Sequence, residues 1–356
     1  MMNWPGQLGL AIPLIQAPMA GISTPALAAA VSRAGALGSI GVGAVGTTVA
    51  HKMICQIRQQ TKAPFNVNLF AHKTPEVDPV RDRAWLTWLK PLFTEFNAVP
   101  PARLHPIYRS FNDDPDMLGM LVHTKPPVVS FHFGLPSPEK ISVLKAAGAV
   151  LLATVTSLEE ACAAETAGMD AIVAQGFEAG GHRGIFDPAG HDDALGTFVL
   201  TRLLVRKCRI PVIAAGGIMD GAGIAAALAL GAVAAQMGTA FIPCPETDAD
   251  EAYRKALTGP AAFHTRMTDL VSGRPARCLQ NRFTGLSNSV GIPRLPDYPI
   301  AYDAGKALNK AARNRGESGF GAYWAGQGAP LARAMPVDRL IDKLKDELQE
   351  ARCFVT

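Results

Sequence analysis

Short apolar runs recur along the first two thirds of the chain, at 13–19, 36–42, 65–70, 128–133, 150–155, 171–175, 211–215 and 232–237. Each is a largely continuous run rather than a strict apolar/polar alternation, the pattern of a strand buried on both faces of a parallel sheet. Between most of them lie stretches of helical spacing, at 24–34, 137–147, 157–167 and 220–230. Pro25 falls in a first turn, where its missing N–H costs no helical bond. Ser23, Ser157 and Asp220 are the expected N-caps, and Gly35, Gly148, Gly168 and Gly231 the expected stops. Eight runs alternating with helices predict an α/β fold, a (β/α)8 TIM barrel, with a doubly wound sheet as the runner-up.

Two segments break the rhythm. Residues 72–125 are too long for a simple crossover and carry Trp85, Trp88, Phe93, Phe96, Tyr108 and Phe111, so they read as an insertion with short helices beside the barrel mouth. After Phe241 the alternation is lost, and 246–356 reads as helices and loops packed against the barrel. The expected organisation is a cofactor-binding barrel over 1–241 and a smaller, mainly helical lid or substrate domain over 242–356. That second part packs at the mouth and in part returns to the barrel. The apolar tract 222–243 approaches membrane-span length, but Gly231 and Gln236 divide it into a helix-like and a strand-like half.

Composition narrows the class. With 48% hydrophobic and 18% charged residues in 356, the chain reads as a well-buried globular enzyme. A net charge of +4 without Lys/Arg runs argues against nucleic-acid and membrane-surface partners, while a small anionic ligand stays compatible. The six cysteines have no C-x-x-C spacing and read as reduced thiols rather than zinc ligands. No metal is expected, because His72, His105, His123, His191 and His264 lack partner spacing. The N-terminus carries neither a basic n-region nor an apolar h-region, which leads us to expect a cytoplasmic protein, monomer or homodimer.

In a barrel, chemistry collects where strands end. The sixth run ends in Gln175-Gly176-Phe177-Glu178-Ala179-Gly180-Gly181-His182-Arg183-Gly184, a glycine-flanked loop that presents a histidine to a flat ligand. The seventh ends in Gly216-Gly217 and the eighth in Gln236-Met237-Gly238-Thr239. These glycines, with the Thr239 hydroxyl, suit a phosphate held by backbone N–H groups. Asn68 and Gln175 both donate and accept, as the polar edge of an isoalloxazine requires, and Ala17-Pro18-Met19 offers backbone contact and soft packing. FMN fits that set. His132, at the end of the fourth run, points to the same mouth and is a candidate substrate contact. Asp187, Asp192 and Asp193 read as helix caps rather than acids.

The motifs Gln16-Ala17-Pro18-Met19-Ala20-Gly21-Ile22-Ser23-Thr24-Pro25, Pro64-Phe65-Asn66-Val67-Asn68-Leu69-Phe70, Phe133-Gly134-Leu135-Pro136, Ala153-Thr154-Val155-Thr156-Ser157 and Glu178-Ala179-Gly180-Gly181-His182-Arg183-Gly184 resemble those of class I nitronate monooxygenases, formerly called 2-nitropropane dioxygenases. The match runs in order from the N-terminus to Phe241. The resemblance implies non-covalent FMN, a barrel with a smaller lid domain, and oxidation of alkyl nitronates by O2 through a flavin semiquinone, with propionate 3-nitronate favoured. His182 matches the family's catalytic histidine. An imidazole there can take the α-proton of a neutral nitroalkane or, as imidazolium, stabilise the bound anion.

Tyr108, Tyr253, Tyr298 and Tyr302 are candidates to line the substrate space, because tyrosine is scarce and these lie in the insertion and tail. Lys306 stands four residues after Tyr302, on the same face if the segment is helical, and is a candidate partner for a substrate carboxylate. The closest alternatives are the FMN-dependent NAD(P)H reductases of this barrel class, which act on enoyl-acyl carrier proteins or quinones. A non-catalytic flavin- or phosphate-binding sensor is a third reading.

Overall fold

The computed structural model describes residues 4–353. The outermost residues of the two expected segments, 1–3 and 354–356, lie outside it.

Eight parallel strands form one sheet: β1 (Leu14–Gln16), β2 (Gly38–Gly41), β3 (Phe65–Phe70), β4 (Val128–His132), β5 (Val150–Val155), β6 (Ala171–Gln175), β8 (Val212–Ala215) and β9 (Ala234–Met237). A two-residue strand, β7 (Gly181–His182), leaves the barrel after β6. The order β1-β9-β8-β6-β5-β4-β3-β2 is that of a barrel, and a parallel bridge between Ile15 and Leu37 joins its two ends. Two hydrogen bonds carry the closure, Leu37 N–H to Leu14 O and Gln16 N–H to Leu37 O, each 2.9 Å. Every barrel strand falls within an expected apolar run.

The barrel interior is filled by Ile15, Leu37, Val128, Leu152, Val173, Ile213 and Ala234, with Trp4 packed against them. Because these side chains fill the barrel interior, it is a packed plug and the binding space opens at the strand ends. A second apolar layer joins the strands to the surrounding helices.

Helix ends follow local chemistry. The glycines Gly35, Gly148, Gly168 and Gly231 follow helices with positive φ, the left-handed conformation that ends a helix. Ser157 and Asp220 cap their helices by accepting from Glu160 N and Gly223 N. Ser23 does not cap the first barrel helix, Pro25–Arg33; Thr24 does, at 2.9 Å from Leu27 N. The Ser23 hydroxyl is drawn inward instead, where it accepts from Met19 N and the buried Gln16 amide. The aspartates of the β7 loop cap no helix. Asp192 pairs with Arg183 at 2.8 Å, and the helix Thr197–Lys207 receives the Glu178 carboxylate on Thr197 N.

Residues 72–125 prove to be two things. The helix Pro79–Glu95 projects outward, whereas Pro115–Thr124 packs beside the helix Thr47–Gln60 as an ordinary barrel crossover. The projecting helix shares a separate core with the tail: Trp85, Leu89 and Phe93 pack with Phe283, Ile300, Leu308 and Phe320. The tail is not only helix and loop. It contributes β10 (Thr265–Thr268) and β11 (Ala276–Leu279), antiparallel to each other, and β11 pairs with β7. The last helix, Val337–Cys353, lies against Pro25–Arg33 and Gly221–Ala229, where the helix after an eighth strand belongs. Its close approach needs Gly221, whose added Cβ would lie 2.2 Å from Leu348 N. No helix among the described residues is long and apolar enough to cross a membrane, and 222–243 divides into a helix and β9.

Candidate active site

A cavity of about 530 Å³ opens at the carboxyl ends of the barrel strands. Its lining brings together Ala17, Pro18 and Met19 from β1, Asn68 from β3, His132 from β4, Gln175 from β6 and His182 from β7. It continues over Gly180, Gly181, Gly216, Gly217, Gln236, Gly238 and Thr239, and is roofed by Tyr108, Tyr253, Tyr298, Tyr302 and Lys306. Met237 alone of the expected residues is absent. Its side chain, 1% exposed, points outward into the apolar layer with Leu14 and Leu27, because successive strand residues face opposite sides and Gln236 takes the inner one.

The histidine is held by a built frame. The Gln175 amide clamps its loop at two points: Nε2 donates to His182 O at 3.0 Å and Oε1 accepts from Gly184 N at 2.7 Å. His132 Nε2 lies 3.1 Å from the same carbonyl, so its ring supports His182 and keeps only its other nitrogen for a ligand. Gln175 is likewise more clamp than open ligand contact. Arg183 anchors the next position through Asp192 and the Gln175 carbonyl. The Asn68 amide nitrogen donates to Ser130, and the residue lines the cavity.

On its far side the His182 ring meets Ser272, with Nε2 to Oγ at 2.9 Å. The Ser272 hydroxyl donates to Arg274 O at 3.1 Å, so its oxygen accepts from the imidazole. That network assigns the proton to Nε2 and leaves the lone pair on Nδ1. Burial, with His132 and Arg274 adding to it, pulls the pKa of His182 down to about 3. His132 is lowered to about 4, chiefly by burial and against the bond to His182 O. Both rings are therefore neutral at neutral pH, although each keeps some surface open to the cavity. An imidazolium at position 182 does not form without a bound anion to favour it.

An aromatic wall surrounds this ring. Trp324 stands 4.9 Å from His182, Tyr298 5.3 Å and Phe133 5.5 Å. Phe133 has φ +74°, rare for a bulky residue and found where the surroundings enforce it. The Tyr253 hydroxyl is committed to Trp324 O, so that tyrosine lines the cavity through its ring. Lys306 Nζ lies 5.0 Å from the Tyr108 ring centre and 5.3 Å from that of Tyr302. Much of the side chain faces solvent, yet burial of the ammonium draws its pKa below the ordinary lysine value, opposed by Asp303.

The glycine ends form a cradle. Gly216 and Gly217 have φ of +122° and +71°, and a Cβ on Gly216 would come 2.6 Å from Thr197 Oγ1. Gly180 abuts the tail, where a Cβ would meet Gly326 N at 2.5 Å, and Gly326 N–H donates to the Thr239 hydroxyl at 3.0 Å. The Thr239 proton thus stays available to a ligand. A backbone cradle with a hydroxyl beside an aromatic cavity has the chemistry for a phosphate carrying a flat ring. Ser272, Trp324 and Gly326 were not foreseen from sequence; they lie in the tail, where no periodicity marks them.

A family profile described as "Nitronate monooxygenase" matches residues 6–347. The chain is 58% identical over 344 residues to a nitronate monooxygenase of Paraburkholderia phytofirmans, covering 97% of this chain and 94% of that one. Its identity to a nitronate monooxygenase of Pseudomonas aeruginosa is 54%, covering 96% and 97%. Among solved structures, nitroalkane oxidase from Streptomyces ansochromogenes superposes with a TM-score of 0.90 at 38% identity, covering 99% of this chain and all of that one. FabK from Thermotoga maritima follows a looser course, with a TM-score of 0.75 at 32% identity over 98% and 96% of the two chains.

Proposed function

The chain belongs to the nitronate monooxygenase family, and from that membership we propose that it oxidises alkyl nitronates with O2, propionate 3-nitronate foremost, using FMN in the His182 cavity. The products are the carbonyl compound with nitrite and nitrate. The observation that carries the substrate reading is the pairing, in one cavity, of a neutral imidazole with a cation set between two tyrosine rings. A base whose conjugate acid titrates near 3 is poorly matched to proton abstraction at neutral pH. A preformed nitronate needs no such step.

Gly180, Gly181, Gly216, Gly217, Gly238 and Thr239 would hold the phosphate, and Met19, Asn68 and Gln236 the ring. When bound, the flavin supplies a one-electron acceptor that O2 reoxidises. This chain's residues bind and orient the anion: the His182 ring and the aromatic wall pack about the nitro end, and Lys306 attracts the carboxylate. The wall also keeps water from the reacting carbon.

Anaerobic mixing of the yellow protein with propionate 3-nitronate in one cuvette and NADPH in another tests the reading. Rapid change of the flavin spectrum with nitronate alone is expected; bleaching by NADPH alone would move the chain to the reductases. A Lys306→Met variant is expected to raise KM for propionate 3-nitronate about tenfold with kcat little changed, the mark of lost uniform binding. Steady-state assays at constant ionic strength check this, and an unchanged KM would remove the lysine from substrate binding.

A further inference from the structure

Arg274, in the turn between β10 and β11, is 3% exposed and pairs with no carboxylate within 4 Å among the described residues. One terminal nitrogen donates to Ile185 O, and Nε has no acceptor there. The guanidinium lies 4.2 Å from the centre of the Phe133 ring, and His182 stands edge-on 5.5 Å from the same ring. One aromatic ring therefore contacts both a full positive charge and the imidazole at the cavity.

The groups around it do not cancel that charge locally. Tyr298, whose hydroxyl burial keeps protonated, and then Glu160 and Asp187 act on Arg274 without touching it, and the Glu160 carboxylate already accepts from Thr156 N, the Thr156 hydroxyl and Phe186 N. The nearby cation Arg183 is matched by Asp192. His72, edge-on to Phe133, has both ring nitrogens unpartnered among the described residues and adds no anion. Behind apolar rings a charge is weakly screened and acts strongly on whatever enters the cavity.

We propose that Arg274 is a specificity-determining residue, whose buried charge against Phe133 favours an anionic substrate in the His182 cavity over its neutral conjugate acid. Lys306 marks the carboxylate end of that cavity, while Arg274 acts on the nitro end. The inference rests on the nitronate reading above, and it concerns which protonation state is taken.

Arg274→Met removes the charge and keeps a flexible apolar side chain, and Arg274→Lys keeps the charge. With flavin content and Tm recorded for each, kcat/KM is measured for one nitronate and for its parent nitroalkane. We expect the Met variant to lose at least tenfold on the nitronate, mainly in KM, and less than threefold on the nitroalkane. Lysine should restore most of that loss. In an NMR titration, the histidine with the lowest pKa should move upward in the Met variant. Equal losses on both substrates, with no histidine shift, would reduce Arg274 to packing and overturn the proposal. If Arg274→Met does not fold, Arg274→Gln takes its place with the same outcomes. Should the parent protein not oxidise nitronates, the functional reading fails by itself. Anaerobic calorimetry then compares binding of the two protonation states in parent and variant, and an unchanged ratio would overturn the role of Arg274.

Discussion

A His182→Asn variant is expected to keep the flavin proposed for the cavity and to lose about 10- to 100-fold of any activity on neutral nitroalkanes, less than the usual worth of a positioned proton acceptor because its conjugate acid titrates near 3. Asparagine retains a donor toward Ser272, so the loop held by Gln175 and His132 should survive. On a preformed nitronate the same variant should lose less than about tenfold, because no proton is taken and only an orienting contact is missing. Stopped-flow measurement of flavin spectral change with each substrate separates the two. Full activity on neutral nitroalkanes would mean that another group takes the proton. The parent's own rate on nitroalkanes should show no protonation limb between pH 5 and 8 from this residue, whose pKa is held near 3.

The protein is expected to lose stability steeply as pH falls from about 6.5 toward 4. His72, His132 and His182 are lowered to about 4, 4 and 3, each mainly by burial. In that window the unfolded chain binds protons that the folded chain refuses, so stability rises with pH and falls on acidification. At pH 5, a depression that begins at 6.5 costs about 2 kcal/mol for each histidine, about 6 kcal/mol together as an upper limit. His132 and His182 repel one another's protons and face the cavity, which spreads and softens their share. His72 is the cleanest case: it is 2% exposed, against Phe133 and Tyr298, with neither nitrogen bonded. Denaturant titrations from pH 7.5 to 4.5 check the slope. His72→Phe should flatten it by about a third; a parent stability flat across the window would refute the account.

Much of this was legible in the chain because it is local. Strand positions followed from continuous apolar runs, and helix ends from glycines such as Gly148 and Gly231, whose freedom at positive φ is a property of the residue itself. The strand-end residues were legible for the same reason: once β6, β8 and β9 are placed, Gln175, Gly216 and Gly238 must stand at one mouth. Met237 went astray by a single step of strand alternation. Ser23 lost the cap to its neighbour Thr24 because a buried Gln16 competed for its hydroxyl. The Gln175 amide looked free for a ligand because the sequence does not display the loop backbone it binds.

The sequence by itself determined the barrel, the order of its strands, the glycine cradle and the loop that presents His182. Those depend on side-chain type and spacing over a few residues. Only the tertiary structure decided the state of that histidine. Its proton is set by Ser272, 90 residues away, its neutrality by burial beside His132 and Arg274, and its wall by Trp324 from the tail. β7 exists because β11 pairs with it, and the tail that carries β11 shares a core with the helix Pro79–Glu95. A pKa and a tautomer are properties of surroundings, and long-range packing creates those surroundings only when the chain has folded.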